Sequence, residues 1–257
     1  MKKNISFWLQ GSWLMLLICL HLSLQAQNKP KPCGTYRIDT ARLNQVKRFA
    51  FLRPLVSTGP ITVRIAIHIL MPDKGTDSAA TSAQINSELA ILSAEYASYN
   101  VYFLLAGLST IHDTSLDSLF DTDRDDMGRF IPFLTSKCIN VFYVAQLSGT
   151  NSNCNSSSCS GIGGIAYNVP ALFCLIAQSN IGVARAIAHE VGHCIGLFHT
   201  FESRMGLEDI DGSNSADSGD LVQDTPADPF AYYSDTVGSC FAVTNNRYTG
   251  TCTDPKG

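Results

Sequence analysis

Between residues 61 and 195 the chain alternates between two hydrophobic periods. Ile61 to Leu70 (ITVRIAIHIL) repeats with period two, as a buried strand does, and the Gly59-Pro60 pair before it marks a boundary. His68 falls inside this strand and reads as a sheet-face histidine. Thr81 to Tyr99 changes to the helical period: Ile85, Leu89, Leu92 and Tyr96 share one face, and Thr81 or Ser82 is placed to cap the first turn. Strands return at Val101 to Leu108 and at Ile139 to Gln146. From Leu147 to Gly164 the chain is rich in Ser, Asn and Gly, too polar for a core. Gly163 to Tyr167 then reads as a short strand with Leu172 to Ala177 as its neighbour. A helix from Ile181 to Ile195 follows, burying Val183, Ile187, Val191 and Ile195. Past His199 the chain is polar and irregular. This order predicts an α+β fold, with helices packed on a twisted mixed sheet.

The N-terminus has a different pattern. Lys2 and Lys3 precede an apolar run, Trp13 to Leu24, and a small residue, Ala26; this reads as a signal peptide cleaved before Gln27. A run of about twelve apolar residues is too short to span a bilayer comfortably, so no stable membrane anchor is expected. Losing Lys2 and Lys3 moves the net charge from −4 to −6, which argues against nucleic acid as a partner. Of the nine cysteines, Cys19 lies in the signal peptide; the remaining even number suggests disulfides in an oxidising compartment, with Cys154/Cys159 and Cys240/Cys252 as the pairs close in sequence.

The strongest chemical signal is His189-Glu190-Val191-Gly192-His193-Cys194-Ile195-Gly196-Leu197-Phe198-His199, an HExxHxxGxxH pattern. On a helix His189 and His193 stand one turn apart on the same face, so both imidazoles reach one metal ion while Glu190 points toward a metal-bound water. Gly196 can take a left-handed conformation, end the helix and bring His199 in as third ligand. Three protein ligands leave a position open, the mark of a catalytic zinc site.

This signature resembles that of the metzincin metallopeptidases. The longer run His189 to Glu202 (HEVGHCIGLFHTFE), followed by Gly219 to Ala227 (GDLVQDTPA), is similar to the pappalysin-like branch. The resemblance implies a five-stranded sheet, two long helices and an irregular C-terminal subdomain. It divides the chain into a signal peptide (1–26), a pro-segment (27–58) with a helical stretch around Leu43 to Phe51, and a catalytic domain (59–257). It implies a secreted endopeptidase acting on peptides or proteins, with a zinc-activated water and Glu190 as general base. Gly164, Ile165 and Ala166 would form the edge strand that pairs with an antiparallel substrate. Asp220 and Thr225, with a main-chain carbonyl near Val222 or Gln223, would bind calcium; solvated loop acids are the other reading of a segment that also holds Asp209, Asp211, Asp217, Asp224 and Asp228.

Cys33, in Pro32-Cys33-Gly34-Thr35, resembles the pro-segment cysteine whose thiolate fills the open zinc position in latent precursors; a disulfide partner is the alternative. A zinc amidase of another substrate class, or an inactive zinc-stabilised binding protein, are the competing functions. Metzincins carry a methionine-containing turn well downstream of the third histidine. Met205 is the only methionine after His199 and comes too early, so the expectation is that the chain stops at Gly257 ahead of that turn and the last helix.

Overall fold

The computed structural model describes residues 33, 35, 38–41, 43–44, 59–75, 77–119, 127–148, 161–183, 185–202, 204–223, 225, 242–244 and 247–249. Residues 1–26, expected to be a signal peptide, and most of residues 27–58 lie outside them; residues 40–41 and 43–44 are helical. Five strands make the main sheet: β1 (Ile61–Met71), β2 (Val101–His112), β4 (Ile139–Val144), β6 (Gly164–Ala166) and β7 (Phe173–Ala177), in the order β2-β1-β4-β7-β6. The first four run parallel and β6 runs antiparallel on the far edge, so the sheet is mixed. A short pair, β3 (Ser118–Leu119) with β5 (Gln146–Leu147), extends one end. Two further short strands, β8 (Ala242–Thr244) and β9 (Arg247–Thr249), pair antiparallel with each other.

β1 departs from the expected alternation: Ile65 to Leu70 are buried without a break. A parallel strand between two neighbours has both faces covered, which removes the polar positions. Ile65, Ile67 and Ile69 join the core beneath the helices, while Leu70 joins a second core with Phe130, Phe142 and Phe173 on the opposite face. His68 lies in the sheet as expected. Its Nε2–H donates to Asn140 Oδ1 (2.9 Å), its Nδ1 accepts from the Ser109 hydroxyl (2.7 Å), and its ring stacks on Phe142.

Helix α1 (Ser82–Ala97) starts at a full capping box in which Thr81 and Gln84 satisfy each other's backbone N–H groups. Its buried stripe holds Ile85 and Leu92 as expected, and also Glu88, whose Oε1 accepts from Gly182 N (2.6 Å). A four-residue helix, α2 (Thr114–Asp117), follows β2.

Several sequence boundaries move. β2 continues to His112, and β4 ends at Val144 because Ala145 N turns away to Asp117. The last helix, α3 (Ala186–Ile195), starts at Ala186 and not at Ile181. Gln178–Asn180 forms a 3-10 turn, and both Gly182 (φ 73°) and Arg185 (φ 56°) are left-handed, which no α-helix accommodates. Ile195 was expected on the buried face and is 40% exposed. The disulfide expectation is corrected for the described cysteines: Cys33, Cys138, Cys174 and Cys194 are free thiols. Cys154, Cys159, Cys240 and Cys252 lie outside the described residues.

Candidate metal centre

Helix α3 packs its apolar face, Ile187, Val191 and Cys194, against the sheet core, and this aims His189, Glu190 and His193 at the end of β6. Gly196 (φ 107°) ends the helix; its N–H bonds to His193 O (3.1 Å) and Leu197 N to Gly192 O (2.9 Å). That turn carries the chain back so that His199 completes a triangle. The Nε2 atoms of His189, His193 and His199 lie 3.1, 3.2 and 3.2 Å apart.

These nitrogens cannot satisfy one another. Each carries a proton or a lone pair, so among three mutually adjacent atoms at least one pair must match and repel. A cation among them removes the conflict. Edges of this length suit a tetrahedron whose centre is about 2 Å from each nitrogen, the usual zinc–imidazole distance. His193 Nδ1–H donates to Leu197 O (2.7 Å), which leaves its Nε2 a bare lone pair. Burial, with the neighbouring imidazoles, holds His193 down to about 3 and His199 down to about 4, and burial lowers His189. All three rings are therefore neutral and able to ligate at neutral pH. The residues fit zinc.

Glu190 is 2% exposed, and burial pushes its carboxyl up to about 8, against hydrogen bonds from Cys33, Thr35 and Ala166 that act to lower it. Its position depends on Gly164: a Cβ there would stand 2.6 Å from Glu190 Oε1. Cys33 Sγ lies 3.6 Å from His193 Nε2 and 3.7 Å from Glu190 Oε2. Cys33 and the three histidines place ligand atoms within 4.8 Å of one another, the one such group of three or more His, Cys, Asp or Glu among the described residues.

Sequence reasoning missed two contributors. Thr35, whose hydroxyl donates to Glu190 Oε2, belonged to a recognised motif but had no assigned role. Tyr96 was read as core. Its hydroxyl donates to Ala188 O (2.9 Å) and sits 3.0 Å from where a Cβ on Gly192 would be, so α1 and α3 close together only over a glycine.

The acidic segment is not gathered into a comparable cluster. Asp220 is 4% exposed and its Oδ1 accepts from Val222 N (2.9 Å), while Thr225 is half-buried. Asp224 and Asp228 lie outside the described residues. Glu208, overlooked in the sequence, is 8% exposed, abuts Gly219, and has no hydrogen-bond partner for either carboxylate oxygen.

Fold and site together define an α+β protein with a three-histidine cluster able to hold a metal ion at a helix end. No family model matches the chain. It is similar to proteins named extracellular metalloproteases from fungi. It is 27% identical over 191 residues to one from Podospora anserina, covering 71% of this chain and 61% of that protein. One from Neurospora crassa is 24% identical over 219 residues (77% and 70%), and one from Verticillium alfalfae 25% over 215 (76% and 70%).

Proposed function

We propose that this chain is a zinc-dependent endopeptidase of the pappalysin-like metzincin type, exported by its N-terminal signal peptide and held latent by residues 27–58. The observation that carries the reading is the Nε2 triangle of His189, His193 and His199 with the Glu190 carboxyl beside it. The resemblance to proteins named extracellular metalloproteases supports it.

His189, His193 and His199 hold the metal. Bound zinc supplies Lewis acidity, which makes water nucleophilic near neutral pH and polarises a carbonyl. Glu190 is the proton carrier: Oε2, the oxygen 3.7 Å from Cys33 Sγ, takes the proton of the attacking water and passes it to the leaving amine nitrogen. Burial raises this carboxyl, and a cation held by the three histidines would draw it back toward the deprotonated form that accepts a proton. Gly164, Ile165 and Ala166 on the β6 edge receive an extended substrate through main-chain hydrogen bonds.

Cys33 is the latency switch in this reading. Burial and the neighbouring Glu190 push its thiol well above the ordinary range, so a thiolate there is stable only against a cation. The reading includes a calcium ion at Asp220 and Thr225, with Glu208 as a further ligand; what supports it is a buried Glu208 carboxylate without a hydrogen-bond partner near the Asp220 charge.

Glu190→Gln tests the mechanism. Zinc content stays at one per chain and peptide hydrolysis falls by about 10²-fold or more. A mutant that cleaves labelled peptides at near wild-type rate removes Glu190 from the chemistry, and turnover of small amides but not peptides or casein moves the chain to another substrate class.

A further inference from the structure

We propose that Thr35 is a second latch on this site, closing it independently of Cys33. The inference rests on the peptidase reading and concerns the regulation of the same site. Thr35 is 5% exposed; its hydroxyl donates to Glu190 Oε2 (3.1 Å) and accepts from Ala166 N (2.7 Å). Its backbone N–H donates to Cys33 Sγ (3.2 Å). One hydroxyl has a single proton and free lone pairs, so it makes both side-chain bonds at once. It thereby occupies two atoms that hydrolysis needs: the oxygen of the base, and a main-chain donor of the edge strand that would receive substrate.

Backbone pairing, not sulfur, holds Thr35 in place. Cys33 bridges Gly164 and Ile38 bridges Val169, both parallel, and Thr35 meets Ala166 at the same offset of 131 residues. Asp39 N also donates to Val169 O (3.2 Å), and Leu43 packs with Val169 and Phe198. Removing the Cys33 sulfur frees a position at the histidines but leaves this register standing. With Thr35 in register, Glu190 Oε2 still takes a hydrogen bond from a hydroxyl that carries no scissile carbonyl. Valine has the same shape as threonine and makes neither bond, whereas serine keeps both.

The test uses the full precursor carrying Cys33→Ala, Thr35→Val, or both, beside the protein cleaved between Cys33 and Ile61. Expected is a Cys33→Ala precursor at least about tenfold slower on a labelled peptide than the cleaved protein. The double variant should be at least about fivefold faster than Cys33→Ala alone yet still short of the cleaved protein, because the backbone register remains; a double variant no faster than Cys33→Ala overturns the latch. Thr35→Ser in place of Thr35→Val restores the slow rate. Hydrogen exchange gives a readout free of activity: the Ala166 amide exchanges at least about tenfold faster in Thr35→Val and is unchanged in Thr35→Ser. A Cys33→Ala precursor as active as the cleaved protein overturns the latch, as does an Ala166 amide indifferent to Thr35→Val. A cleaved wild-type protein that binds zinc but hydrolyses no peptide carries a different signature: it sinks the peptidase reading, and the latch's regulatory role with it.

Discussion

Glu190 illustrates how much a single side chain asks of its surroundings. Its carboxyl is buried against the Cys33 thiol and the Thr35 hydroxyl, and the space it fills exists because residue 164 has no side chain. A methyl 2.6 Å from Oε1 cannot be accommodated by a small adjustment, since the neighbour is a carboxylate fixed by α3 and not the free end of a flexible chain. Gly164→Ala should therefore displace the base while leaving the histidines in place. In the cleaved protein we expect zinc content unchanged and the peptidase rate down by about 10²-fold, the usual cost of a misplacement near 1 Å. Equal loss of zinc and activity would show that β6 supports the metal ligands and not the base. At this scale the spacing of His189, Glu190, His193, Gly196 and His199 was readable because one helix and its cap fix it locally. The Thr35 and Gly164 contacts to Glu190 were not, because backbone pairing far along the chain creates them.

At the scale of elements, α1 sets where α3 begins. Glu88 receives Gly182 N, Glu95 pairs with Arg185 at 3.0 Å, and Tyr96 reaches Ala188 O. The ion pair is exposed and contributes little; the contacts of the buried Glu88 and the partly buried Tyr96 carry the placement. On the sheet, His68 links three strands, joining Ser109 of β2 to Asn140 of β4, and Asn140 Oδ1 also accepts from Thr135 N. Burial lowers the His68 pKa below its ordinary 6.5. The folded chain thus resists a proton that the unfolded chain takes up near that value. This contribution to stability is whole above pH 6.5 and is lost as the pH falls toward the lower folded value. Melting temperatures measured at pH 7 and pH 5 should differ less for His68→Gln than for wild type; an identical difference would assign the acid sensitivity to other groups. The sequence indicated the strand and the role of His68 as a sheet residue, but not which neighbours it would bridge, because strand order depends on the crossovers.

For the whole molecule, the segment after His199 is where charge burial is least resolved by protein contacts alone. Glu208 and Asp220 are both buried, burial and the Asp220 charge raise the Glu208 carboxyl, and neither Glu208 oxygen has a hydrogen-bond partner. A calcium ion bound only by the native state should raise the melting temperature by about 5–10 °C when present at a hundredfold excess over its Kd, on the order of 10 mM for an extracellular site. Asp220→Asn should abolish most of that gain and Glu208→Gln part of it, with Glu208→Gln more stable than wild type in stripped protein. A melting temperature indifferent to calcium would leave these acids to be explained by protonation alone.

The sequence by itself determined the spacing that gathers His189, His193 and His199 with Glu190 on one helix and its cap, the capping of α1 and the α+β class, because each depends on residues within a turn or two of one another or on simple periodicity. It also placed the two helices and the five strands in order, missing their ends by several residues where Gly182, Arg185 and Ala145 break the pattern. Tertiary structure alone decided that β1 is buried on both faces, that Gly164 makes room for Glu190, and that residues 33 to 38 lie along β6 with Cys33 against the histidines. The physical reason is sequence separation: contacts between residues 26 apart, as Gly164 and Glu190 are, or 157 apart, as Cys33 and Glu190 are, leave no period or spacing in the chain, and only the sheet that brings their two ends together selects them.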